Sequence, residues 1–172
     1  MIIYIAQDNG SSGRLAAIDD TGIVRHFLDV PAQSALAYTK KKQHITRIDW
    51  VALRNWYRTV AAQAGAMDNL RVFVERPMIF PGRFQASISA ARAFEATLIS
   101  LEAAGLRPTR VVDSKEWQRV MFPGGWEKGE TKKMSREIGC RLFPAFADVI
   151  LAAKNTDADA LLMAECARRE KW

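Results

Sequence analysis

Residues 1–18, MIIYIAQDNGSSGRLAAI, limit the possible folds of this chain more than any other stretch. Ile2, Ile3, Tyr4 and Ile5 form an apolar run that leads to a lone acid, Asp8. Asn9, Gly10, Ser11, Ser12 and Gly13 then turn the chain before Leu15 to Ile18 resume it. The pattern reads as a central strand, a tight Gly/Ser turn and a return strand. A carboxylate at the end of a buried strand is costly unless it is neutralised or paired, and its usual partner is a bound cation. Taken alone, Asp8 is equally readable as a turn-capping aspartate assisted by Asn9-Gly10.

The pattern recurs. Val72, Phe73 and Val74 make a second apolar run that ends in an acid, Glu75, with Pro77 as the breaker. Near the end of the chain, Asn155-Thr156-Asp157-Ala158-Asp159 sets two more acids before the helical run Ala160 to Ala167. Two strand ends and a helix start can bring these acids to one spot.

Charge points to the kind of partner. Against 19 Asp+Glu stand 25 Lys+Arg, a net charge of +6, which favours a polyanion over a small neutral ligand. The two cysteines, Cys140 and Cys166, fall inside helical patterns and read as small buried hydrophobes of a reducing compartment. No apolar run approaches the ~20 residues of a membrane span, and Met1 opens directly into a strand. The expectation is one soluble, cytoplasmic α/β domain over residues 1–172.

The remaining elements follow in order. Thr21-Gly22 turns the chain into a third strand, Ile23 to Val30. Pro31 to His44 reads as loop or weak helix; its Lys40, Lys41 and Lys42 are either a solvated turn or a phosphate-contacting patch. Asp49 caps a helix whose Leu53, Trp56, Tyr57, Val60, Ala61 and Ala64 share one face, and Gly65 ends it. Leu70 to Glu75 is then a strand beside the first, which brings Glu75 next to Asp8. In the Pro/Gly segment 78–84, Phe80, Arg83 and Phe84 suit stacking on bases, or else Phe80 and Phe84 plug the core. A small-residue helix over Ser87 to Ala104, a strand over Thr109 to Val112, and helices starting near Ser114, Thr131 and Asp157 complete an α/β fold with a mixed sheet.

The stretches IAQDNGSSG, VFVERP, VVDSKEWQRVM, KKMSREIGCRLFP and DADALLMAECARR occur in this order over nearly the whole chain. Together they resemble the RuvC family of Holliday junction resolvases, in its short phage-type branch, within the ribonuclease H-like superfamily. The resemblance implies a ribonuclease H-like fold: a five-stranded mixed sheet, its first three strands antiparallel, with helices on both faces. It implies that Asp8, Glu75 and Asp159 are metal-binding carboxylates, that Asp157 is the fourth acid, and that Lys132 sits near the scissile phosphate. Relatives usually place an Asp or His three to five residues before the last acid, where this chain has Lys154, Asn155 and Thr156. On a helix, Asp157 would point about 200° away from Asp159 at ~100° per residue. It can join the site only if the helix starts after it, and Asn155 is the neutral substitute otherwise.

The implied chemistry suits these ligands. Two divalent ions roughly 4 Å apart can activate water and stabilise the charge of phosphodiester hydrolysis. Carboxylates without thiolate or imidazole suit Mg2+, with Mn2+ as a substitute. On this reading Asp8 bridges, Glu75 and Asp159 each hold one ion, and Lys132 neutralises the phosphate. The resemblance further implies a homodimer that nicks opposing strands of a four-way junction, with helix Ser87 to Ala104 in its interface. Lys40, Lys41, Lys42, Phe80, Arg83, Lys115 and Lys133 would contact the DNA, the basic side chains holding its backbone. A nucleoid, a phage-infected cell or an organelle would each fit such an enzyme. Two rivals stay open here: another ribonuclease H-like nuclease, acting on RNA/DNA hybrids or as an integrase, and an inactive junction-binding relative.

Overall fold

The computed structural model describes residues 1–37, 43–124, 129–152 and 157–172. Its main sheet is built from β1 (Ile3–Gln7), β2 (Arg14–Asp19), β3 (Val24–Asp29), β6 (Leu70–Glu75) and β7 (Arg110–Val112), in the order β3-β2-β1-β6-β7. β2 runs antiparallel to both β1 and β3, whereas β1, β6 and β7 run parallel. Every residue of β1 and β2 is buried, which explains why β1 reads as an unbroken apolar run rather than an alternating one.

The pleat divides these residues between two cores. Ile3, Ile5, Leu15, Ala17, Val72 and Val74 face α1 (Trp50–Ala64) and α2 (Phe84–Ala103), meeting Leu53, Tyr57, Val60, Ala93 and Leu101. Tyr4, Ala6, Ala16, Ile18 and Phe73 face the other way, toward α3 (Ser114–Met121), α4 (Thr131–Leu142) and α6 (Asp159–Glu170). The sheet therefore carries helices on both faces, as expected. Gln7 is the polar exception: its amide donates to Thr97 Oγ1 at 2.7 Å and its carbonyl accepts from the Tyr57 hydroxyl, joining β1 to both helices of that face.

Local signals account for many boundaries. Asp49 Oδ1 accepts from the Val51 and Ala52 N–H groups at 3.1 and 3.0 Å, and Gly65, at φ 77°, ends the helix in the left-handed region. Elsewhere the expectation needs correction. The loop or weak helix read over Pro31 to His44 is instead an antiparallel ribbon of β4 (Ala32–Leu36) and β5 (His44–Ile48), separate from the main sheet. Its strands are exposed, short and weakly patterned, so only their pairing reveals them. Helix α2 starts at Phe84, one turn before Ser87; the Ser87 hydroxyl instead accepts from the Phe80 N–H and donates to its carbonyl, pinning the preceding loop. A short α5 (Ala147–Leu151) follows α4 and was not foreseen. The last helix begins at Asp159 rather than near Asp157.

Cys166 is buried and Cys140 half-buried, both as free thiols. Among the described residues, no helix is long and apolar enough to cross a membrane.

Candidate active site

The carboxyl ends of β1, β6 and β7 lie at one edge of the sheet, where parallel α/β sheets place their ligands. Gln7 pairs with Val74, so the next residue on each strand, Asp8 and Glu75, stand side by side. Gly13 backs this turn so closely that a Cβ there would collide with the Asp8 carbonyl oxygen. Helix α6 points its first residue, Asp159, at the same edge. Because the helix starts there, Asp157 lies outside it and escapes the opposed orientation that a helical position would impose.

The charges register this convergence. Burial, then the charge of Glu75, a hydrogen bond with it and the charge of Asp157 push the Asp8 carboxyl well above its ordinary range, with Lys132 opposing. Burial, then Asp157 and Asp8, push Asp159 up to about 7, offset partly by a hydrogen bond from Ser135 and by Lys132. Burial and the charges of Asp159 and Asp113 raise Glu75, against hydrogen bonds from Asp8 and Trp117. All four acids expected at the site therefore interact there. Asp157 is 5% exposed, accepts from Lys132 Nζ at 3.4 Å through Oδ2, and has no hydrogen-bond partner among the described residues for Oδ1.

Oxygen-only donors, mutual repulsion and an orphaned buried carboxylate oxygen fit a hard divalent cation. Among the described residues, no three Asp, Glu, His or Cys side chains are already grouped to hold one. Asp8 and Glu75 are instead hydrogen-bonded to each other.

The other residues singled out in the sequence fall in different places. Lys132 belongs to the site. Lys133, one position on, is exposed and lies 3.8 Å from Glu130. Lys115 is exposed on the first turn of α3. Phe80 and Phe84 are 49% and 68% exposed, which rules out core plugs, and Arg83 is exposed beside them. Lys40, Lys41, Lys42, Lys154, Asn155 and Thr156 lie outside the described residues.

Three supporting side chains escaped the sequence reading. Trp117 is fully buried and donates from Nε1 to Glu75 Oε1 at 3.3 Å. Ser135 is fully buried and accepts the Ala158 N–H at 3.0 Å. Arg14, 3% exposed, donates to the Asp157 carbonyl at 3.2 Å and to Asp29 at 3.1 Å. The tryptophan of VVDSKEWQRVM and the serine of KKMSREIG stand inside stretches that carried the resemblance, which was the available signal. Nothing in the sequence ties Arg14 to a residue so distant in the chain.

Sheet order and two helical faces define an α/β protein with a ribonuclease H-like fold. Among solved structures, the chain is similar to Thermus thermophilus RuvC in complex with a Holliday junction substrate, with a TM-score of 0.59 and 11% identity over 99% of this chain and 96% of that one. It also aligns with a second Thermus thermophilus RuvC structure, with a TM-score of 0.49 and 14% identity over 99% of this chain and 97% of that one. The fold is thus RuvC-like. No protein-family model matches the sequence, and no curated protein matches it either.

Proposed function

We propose that this chain, as one nuclease domain, is a metal-dependent, structure-selective endonuclease that resolves four-way DNA junctions as a homodimer by paired nicks in opposing strands. The observation that carries this reading is the meeting of Asp8, Glu75, Asp157 and Asp159 at the carboxyl edge of a RuvC-like sheet, with charge that the described residues neutralise only in part, through Lys132. The junction-bound state of a similarly folded protein supports the choice of substrate.

Asp8, Glu75 and Asp159 would hold Mg2+ or Mn2+, with Asp157 as the fourth ligand. Bound there, the metal would activate water and stabilise charge on the phosphate. Lys132, whose ammonium is exposed beyond Asp157, is placed to meet a phosphate oxygen. Trp117 orients the Glu75 carboxylate. Exposed Phe80, Phe84 and Arg83 lie on the loop and helix start that follow Glu75, where an unpaired base could stack on them. Lys40, Lys41, Lys42, Lys115 and Lys133 would hold backbone phosphates away from the cut. The small-residue face of α2 is assigned to the dimer, and the reading places the protein in a nucleic-acid-containing compartment such as the cytoplasm.

The decisive experiment incubates a synthetic four-way junction with Mg2+ and either wild type or Asp8→Asn, beside a linear duplex and an RNA/DNA hybrid. Paired symmetric nicks in the junction, reduced at least about 10²-fold in the variant while junction binding persists, are expected. Preferential cutting of the hybrid would replace the junction reading with a ribonuclease one. Tight junction binding without cleavage in Mg2+ or Mn2+ would leave a DNA-binding protein.

A further inference from the structure

The residue between the two late acids, Ala158, is gripped from α4. Its N–H donates to Ser135 Oγ at 3.0 Å, and the same hydroxyl opposes the upward push on the Asp159 carboxyl. One turn further along α4, Gly139 lies so close that a Cβ there would collide with Ala158 Cβ. Lys132, one turn earlier on the same helix, reaches Asp157. Residues 132, 135 and 139 recur at helical spacing, so one face of α4 forms a seat for residues 157–159. From the opposite side, Arg14 of β2 holds the Asp157 carbonyl.

The seat matters because helix α6 has no side-chain N-cap of its own. Ala158 occupies the cap position and can offer no side-chain hydrogen bond. The direction of the first turn, and with it the aim of both carboxylates, depends on contacts brought from elsewhere. Ser135 supplies the one that bonds the backbone between the two acids.

We infer that Ser135 is a positioning residue for Asp157 and Asp159: its buried hydroxyl fixes the turn that carries both carboxylates. The inference deepens the metal-dependent reading above and draws on it for its consequence. Removing the hydroxyl leaves the Ala158 N–H without its acceptor and loosens the turn that carries Asp157 and Asp159. Partners that orient a metal ligand typically govern affinity by about tenfold to a hundredfold.

The test compares wild type, Ser135→Ala and Ser100→Ala. Ser100 is an equally buried helix serine that bonds the Ala96 and Trp50 carbonyls, far in sequence from the acids. Two quantities are read on the full chain without DNA: Mn2+ affinity by titration, and exchange of the Ala158 amide hydrogen in the metal-free protein. In Ser135→Ala, the Ala158 amide should exchange at least about tenfold faster. Mn2+ should bind about tenfold more weakly in the same variant, with both quantities unchanged in Ser100→Ala. Unchanged amide exchange, or unchanged Mn2+ affinity where wild type binds Mn2+, would overturn the assignment. So would equal loss of Mn2+ affinity in both variants, because that marks a general effect of a buried serine. If wild type takes up no Mn2+, the nuclease reading fails instead, and the amide exchange alone still decides the role of Ser135.

Discussion

The two ends of the same sheet and helix treat buried carboxylates in opposite ways. At the end where β2 finishes, Asp19 is fully buried, yet its carboxylate accepts from the Thr21 N–H at 3.0 Å, the Ile23 N–H at 3.0 Å and Arg25 Nε at 2.7 Å. On α6, six residues beyond Asp159, Glu165 accepts from Arg168 Nε at 2.7 Å and Arg169 Nε at 2.6 Å. Burial alone would raise both acids, but these bonds and charges outweigh it and hold Asp19 and Glu165 below their ordinary range. At the other end, Asp8, Glu75 and Asp159 are raised, because burial is reinforced by like charge; Lys132 opposes the rise of Asp8, and Ser135 and Lys132 that of Asp159. Burial pushes every one of these acids upward, and the net outcome is decided by whether cations of the chain answer it. One end is a structural clasp, while the other gathers acids whose mutual repulsion Lys132 answers only in part.

The contrast breaks most sharply at Asp159. Asp159→Asn should lower junction cleavage at least about 10²-fold while stabilising the metal-free protein at pH 8, a combination that a structural acid cannot give. Cleavage assays beside thermal melts check it. A variant that is both inactive and less stable would erase the distinction between the two ends.

Glu165→Gln makes the complementary cut. It removes the anion that two guanidiniums share and should cost about 1–3 kcal/mol of stability. Cleavage by the folded fraction should stay at the wild-type rate. Chemical denaturation gives the first quantity and single-turnover cleavage the second.

The smallest effect is a pH dependence with opposite signs at the two ends. Folded Asp159 keeps its proton up to about pH 7, whereas unfolded Asp159 loses it near its ordinary 3.8. Its contribution to stability is therefore complete below about pH 4 and is lost as pH rises toward 7. Asp19 and Glu165 have lowered folded values, so their contribution is present above the ordinary carboxylate range and is lost as pH falls below it. The melting temperature of the metal-free protein should accordingly peak near pH 5 and fall on both sides. Asp159→Asn should flatten the alkaline side only. An alkaline limb unchanged in that variant would show that the acid end does not control it.

Much of this was legible because short-range rules govern it. The apolar run before Asp8, the second run before Glu75, the Asp49 cap and the Gly65 stop are local patterns, and two adjacent parallel strands ending in acids put those acids together whatever else the chain does. The basic excess likewise needs only counting. Other features depended on partners far apart in sequence. The β4-β5 ribbon exists through the pairing of two exposed, weakly patterned segments. The exposure of Phe80 and Phe84 follows from where α2 begins.

Asp157 shows the division most clearly. The sequence by itself determined that an acid stood two residues before Asp159, and also that it could serve only if the helix began after it. Where the helix begins was decided by tertiary contacts: Ala158 cannot cap it, so the turn is set by Ser135, by the missing Cβ of Gly139 and by Arg14. Helix starts marked by a side-chain cap can be read along the chain. A start imposed by a neighbouring helix and strand becomes visible only when they pack against it.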